Sequence, residues 1–329
     1  MPQPAYDPKH EALTLYESFE EEVLLLAKPL SASKWLTVPI DIRSRGVSTQ
    51  KANPPAVWFP RHVGTYLSKA QELCDKHERR LNRSYLPAPY VPCPLVTEAD
   101  VVRSAALWLI HPVVKALQNE YNNVECLAEV TSSDCRCDAM IKIDGLEVAV
   151  LEYKNRGYIK APEFLQGCIK DSTPANRSEI IRMIGQAVNG TTFKTLMNDD
   201  AACLTKQAAA YATRYGTRYV GLFDWDSFFL WNFAGMKFNP GSRDLPDGHA
   251  RWAYGTLVNN REDYRKALLG FVMEAYANRR HPGYERGQRE PFEISPIQQA
   301  KMRKEAEERR LAQLGPKKAA LSKLFGRRD

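Results

Sequence analysis

Residues 133–156 read SDCRCDAMIKIDGLEVAVLEYKNR, and this stretch decides the fold. Two β-rich runs flank Asp144-Gly145, a pair favoured in tight hairpin turns. The four consecutive apolar residues Val148-Ala149-Val150-Leu151 predict a strand covered on both faces. Glu152 and Lys154 stand at its end, projecting to the same face, roughly 7 Å apart along an extended strand. Charged groups set beside a core need partners there. Asp138 lies across the hairpin. A two-residue loop at Asp144-Gly145 places it opposite Leu151, whereas a three-residue loop or a bulge places it opposite Glu152.

With the bulge, two carboxylates face one another and repel, and a divalent cation is the natural bridge. Mg²⁺ takes hard oxygen ligands from one or two carboxylates and keeps several waters. An adjacent lysine can then orient or deprotonate the attacking water and stabilise charge developing on a phosphate. That is a minimal site for phosphodiester hydrolysis. The competing reading is a hairpin with an ion pair at its mouth, and the surroundings have to decide between them.

The chain has 329 residues, 44% hydrophobic and 26% charged, an ordinary soluble composition with ample core for one large or two small domains. No apolar run is long enough to span a bilayer, and the N-terminus lacks the basic-then-apolar pattern of a secretory signal. Seven cysteines without regular spacing fit a reducing, intracellular compartment rather than a disulfide framework. Cys135 and Cys137 have no second pair at zinc-like spacing. Of the net charge of +7, all resides in residues 279–329, which hold 14 Lys and Arg against 7 Asp and Glu, leaving 32 of each sign in residues 1–278. Such a tail suits non-specific binding to nucleic acid or nuclear import; a solvated charged helix is the plainer alternative.

Along the chain, Leu13, Leu15, Phe19, Val23, Leu24 and Leu26 predict a helix from about Glu11. Residues 29–66 read as loops with a short strand around Trp35-Leu36-Thr37-Val38. Residues 67–84 read as helix, and four prolines in residues 86–94 end it. This divides the chain into a partly helical N-terminal extension at 1–94, a main domain at 95–280 and a basic, charged helical or disordered tail at 281–329. Thr97 is the N-cap of the next helix, with Glu98 and Asp100 in its first turn, and His111-Pro112 bends it. A strand follows at 124–130, then the hairpin. Helices are expected at 161–170, 178–189, 200–215 and 261–278. Residues 218–233 read as two strands around Asp224-Trp225-Asp226. The whole is an α/β arrangement, a mixed central β-sheet flanked by helices.

That order, with Asp138 and Glu152-x-Lys154 in it, resembles the PD-(D/E)XK nuclease superfamily, which includes type II restriction enzymes and Holliday junction resolvases. The detail is most similar to the fungal branch of nuclease-like domains in crinkler-type effectors and beside fungal-type protein kinases. There the later helix carries a Gln, followed by a segment like Arg-Tyr-Gly-x-Leu; this chain has Lys206-Gln207 with Tyr211, then Arg218-Tyr219-Val220-Gly221-Leu222. The resemblance implies a restriction-endonuclease-like core over residues 97–235. It makes Asp138 and Glu152 ligands of Mg²⁺ or Mn²⁺, Lys154 the catalytic lysine and Gln207 a residue holding the substrate or that lysine. Glu98 matches a first-helix carboxylate near the metal. Cys137 stands where the family name has Pro.

Other candidates are weaker. Glu129 could approach the metal, although a solvated strand-end carboxylate is the simpler role. Arg136 could contact phosphate or form an edge ion pair. Trp225, Phe228, Phe229 and Trp231 could stack on bases, although an aromatic-rich hairpin is more often core. The reading is therefore a metal-dependent endonuclease acting on nucleic acid, DNA ahead of RNA. The alternative is an inactive nuclease-fold module that binds nucleic acid or a host partner. Oligomeric state and cleavage preference are left open.

Overall fold

The computed structural model describes residues 13–23, 52–86, 95–132, 135–190, 194–237 and 251–282, together with Tyr284, Gln288, Pro291, Lys304 and Glu308. Its centre is a seven-stranded sheet formed by β1 (Val57–Pro60), β2 (Val124–Ser132), β3 (Cys135–Ile143), β4 (Leu146–Tyr153), β5 (Tyr219–Phe223), β6 (Phe228–Asn232) and β7 (Trp252–Val258). The order is β1-β7-β6-β5-β4-β3-β2. Pairing is parallel between β1 and β7 and between β4 and β5, and antiparallel elsewhere. The sheet is therefore mixed, as the sequence leads one to expect.

Helices cover both faces. On one side α1 (Gly64–Leu81), α2 (Glu98–Ala105), α3 (His111–Leu117) and α7 (Tyr264–Arg279) bury Leu73, Leu109, Leu268 and Phe271 with Ile141, Leu151 and Phe223 of the sheet. On the other, α4 (Ala161–Leu165) and α6 (Asp199–Arg214) bury Phe164, Leu204 and Ala208 with Met140, Val150, Leu222 and Trp231. A third cluster sets α5 (Arg177–Gly190) over β1 and Trp252. α1 and α7 approach so closely that a Cβ on Gly270 would lie 1.9 Å from the Tyr66 carbonyl oxygen. Only glycine fits there. Burial on both faces explains the run of apolar residues in β4, where Val148 to Tyr153 are all buried.

Thr97 caps α2 as read: its side chain accepts from the Asp100 amide, and Asp100 accepts in return from the Thr97 amide at 2.9 Å. The bend at His111-Pro112 takes a particular form. Residues Ala106–Ile110 make a π-turn between α2 and α3. Proline at 112 has no N–H for the carbonyl of Trp108. That carbonyl instead accepts from Arg265 Nε of α7 at 2.6 Å, and the same guanidinium donates to Ser18 O at 2.5 Å. Arg265 is 2% exposed, and burial lowers its pKa to about 10.

Several expectations need correcting. Where a helix was expected from Glu11, residues 13–23 hold only a 3-10 turn at Glu17–Phe19. Leu15, Phe19 and Val23 are buried as the spacing implies, but Leu15 N–H bonds to Ser84 O and Leu86 N–H to Leu13 O, which takes the backbone out of a helix. The strands β1 and β7 were not foreseen. Through β1 and α1, residues 57–81 join the same sheet and core, so these run across the boundary drawn at residue 94. The helix expected at 161–170 ends at Leu165. The strand around Trp35, the proline run at 87–94 and nearly all of the tail lie outside the described residues.

Candidate active site

The hairpin that organises the sequence is β3–β4. Its turn has two residues, with Asp144 and Gly145 at φ 52° and 76° and Ile143 paired to Leu146. The register then shifts: Lys142 pairs with Glu147 but Ile141 pairs with Ala149, so Val148 is the extra residue of a β-bulge. The bulge supplies the offset that a two-residue turn alone lacks. Beyond it Ala139 pairs with Leu151, and one step further the same register sets Asp138 against Glu152. There the ladder ends, and the Asp138 side chain continues it: Oδ2 accepts from the Tyr153 amide at 2.7 Å.

Glu152 is 3% exposed. Its Oε1 accepts from the Lys154 ammonium and, at 2.7 Å, from Gln207 Nε2 of α6. Its Oε2 is buried without a hydrogen-bond partner among the described residues. Burial, reinforced by the charge of Asp138, pushes the Glu152 carboxyl up to about 7 against the pull of Lys154. Lys154 is itself buried, which works against its charge; Glu152 and then Glu98 outweigh this and raise its pKa. Glu98, delivered by the capped first turn of α2, brings Oε2 to 4.0 Å from Lys154 Nζ. Burial raises its pKa too, with Lys154 opposing and Asp138 adding.

The five residues to which the resemblance gave roles thus come together. Asp138, Glu152 and Lys154 come from the hairpin, Gln207 from α6 and Glu98 from α2. A sixth was missed. The Tyr211 hydroxyl accepts from Gln207 Nε2 at 2.6 Å, holding the amide that holds Glu152. The sequence sets it beside Gln207 in the family resemblance without a role in the site; its position one turn after Gln207 on α6 was the available signal.

The loop after Lys154 is braced by the turn between β5 and β6. Lys154 N–H donates to Phe223 O at 2.9 Å, and Ile159 N–H to Asp224 Oδ2 at 2.6 Å. Arg156 Nε and NH2 each reach the Asp226 carboxylate at 2.9 Å. Trp225 between these aspartates takes φ 76° and is fully buried. With Phe228, Phe229 and Trp231, also at 0% exposure, it belongs to the core and offers no face to a base.

Glu129 and Arg136 stand at the rim as an exposed pair 3.9 Å apart. Glu129 has φ 50°, and its pairing to Asp138 is the one missing from the β2–β3 ladder. Among the described residues no three His, Cys, Asp or Glu side chains form a ready-made metal cage. What is present is a pair of interacting carboxylates with one buried oxygen open, a donor set suited to a hard cation that keeps most of its waters. Also among the described residues, no helix is long and apolar enough to cross a membrane. Comparison with family models, curated proteins and solved structures finds no match to this chain.

Proposed function

We propose that this protein is a divalent-metal-dependent nuclease with a restriction-endonuclease-like core, hydrolysing phosphodiester bonds in nucleic acid, DNA ahead of RNA. One observation carries the reading. A buried glutamate is fixed through one oxygen by a lysine and a glutamine, its other oxygen stays open, and a second carboxylate lies within electrostatic reach. An unsatisfied buried acceptor costs about 1–3 kcal/mol, which a cation arriving at that oxygen would relieve.

Asp138 and Glu152 would hold Mg²⁺ or Mn²⁺, with Glu98 at the rim. The ion, when bound, supplies Lewis acidity and a nucleophilic water at neutral pH. The chain's own groups do the rest. Tyr153 N–H aims Asp138. Gln207, held by Tyr211, fixes the orientation of Glu152. Lys154 carries a positive charge, strengthened by its neighbours, to the place where charge develops on the phosphate. The basic surplus in residues 279–329 favours a polyanionic substrate, and it would also serve nuclear import.

Incubation with supercoiled plasmid, single-stranded DNA and RNA in Mg²⁺ or Mn²⁺ tests this. At least one substrate should be cut, and Asp138→Ala or Lys154→Ala should abolish cutting. Equal cutting by wild type and variants would end the assignment. A second reading, a non-hydrolytic binding module, draws on the neutralisation of Glu152 by Lys154 and the lack of a three-ligand cage among the described residues. Salt-sensitive binding without cutting would favour it.

A further inference from the structure

We infer that Lys154 is the resident counter-cation of the carboxylate site, and that a divalent ion enters by displacing its ammonium from Glu152. The inference rests on the metal-dependent reading above and adds how the site is kept before loading. Three carboxylates surround one buried cation: Glu152 in direct contact, Glu98 at 4.0 Å, and Asp138 close enough to raise the lysine's pKa. Lys154 is 9% exposed and Glu152 3%, so water solvates neither charge fully. Taking one partner from a buried pair leaves an uncompensated charge, a strongly unfavourable state. The lysine therefore satisfies Glu152 while the site is empty.

The arrangement also suits an exchange. Lys154 and Gln207 both use Oε1, and Oε2 remains open. An arriving cation can be accepted at Oε2 while Gln207 keeps the carboxylate in place. The ammonium, freed from Oε1, retains Glu98 as its nearest remaining anion and would then face the substrate's phosphate. Binding of metal and readiness of the lysine are in this way one event. One cation replaces another at the carboxylate.

Mn²⁺ titration by calorimetry on the full-length protein at pH 8, without nucleic acid, tests the exchange. Removing the resident cation in Lys154→Gln, which keeps a hydrogen-bond donor, or in Lys154→Met, should tighten Mn²⁺ binding at least about tenfold. The rise in Tm on adding Mn²⁺ should also be larger in both variants than in wild type. Asp138→Asn should bind more weakly than wild type. Binding by wild type with unchanged or weaker binding by a folded Lys154→Gln overturns the exchange and leaves the nuclease reading standing. Absence of binding in every variant, together with absence of cutting, overturns both.

Discussion

Among the described residues two glutamates lie deep, Glu152 at 3% exposure and Glu274 at 4%, and they are treated differently. Glu274, on α7, is saturated. Arg61 grips both oxygens at 2.6 and 2.5 Å, Lys69 of α1 adds a contact at 2.9 Å, and the Tyr219 hydroxyl of β5 donates at 3.1 Å. Four separate segments are tied by one carboxylate. Glu152 has its partners crowded on one oxygen and none on the other. The difference separates a carboxylate closed on both oxygens from one with an acceptor left open. Burial is alike in the two places; Glu274 has two cations to itself and a full set of hydrogen bonds, whereas Glu152 shares one lysine with two other carboxylates and keeps an oxygen open.

Substitution should expose the contrast. Glu274→Gln leaves Arg61 and Lys69 facing a neutral amide beside a core, and should cost about 3 kcal/mol in urea unfolding, somewhat less if the part-exposed Arg61 swings to solvent. A silent Glu274→Gln would break the argument from saturation. Glu152→Gln takes the direct anion from Lys154 but also removes a carboxylate whose burial is unfavourable, and Glu98 and Asp138 still attend the ammonium, so it should cost less than Glu274→Gln, roughly 1–2 kcal/mol at pH 7.

The pH dependence sharpens this further. The folded pKa of Glu152 is raised from the ordinary carboxyl range to about 7, so the folded state favours the protonated form. Stability from this group is therefore present at low pH and lost as pH rises through about 7. Unfolding measured at pH 5.5 and pH 8 should show wild type losing stability relative to Glu152→Gln; the opposite drift would contradict the burial argument. The smallest effect is expected at Tyr211→Phe. Losing the hydroxyl that accepts from Gln207 should cost about 1 kcal/mol in stability. It should also slow nicking without abolishing it.

Much of this contrast is written in local sequence. Asp144-Gly145 marks the turn, and the apolar run Val148–Leu151 marks a doubly covered strand whose charged end stands out. Gln207 and Tyr211 fall on one helical stripe. Thr97 with Asp100 announces the cap that delivers Glu98. Glu274 carries no such signal, because its partners come from the residue after β1 (Arg61), from α1 and from β5. The strand β1 is four residues long and ends in Pro60, and it exists because β7, from the far end of the chain, pairs with it in parallel. Arg265 reads as a surface residue of a helix. Its burial follows from the carbonyl that Pro112 leaves unserved, a demand visible only once α7 lies across the π-turn. The bulge at Val148 was needed by the chemistry but not readable from the letters, since nothing about a valine between apolar neighbours marks it as the extra residue.

The most direct test puts the two glutamates side by side. Plasmid nicking in Mg²⁺ should be measured for wild type, Glu152→Gln and Glu274→Gln at a temperature where all three are folded by circular dichroism. The account predicts that Glu152→Gln loses at least about a thousandfold in rate while Glu274→Gln nicks like wild type. Nicking by Glu152→Gln at the wild-type rate, or equal loss in a folded Glu274→Gln, would contradict it.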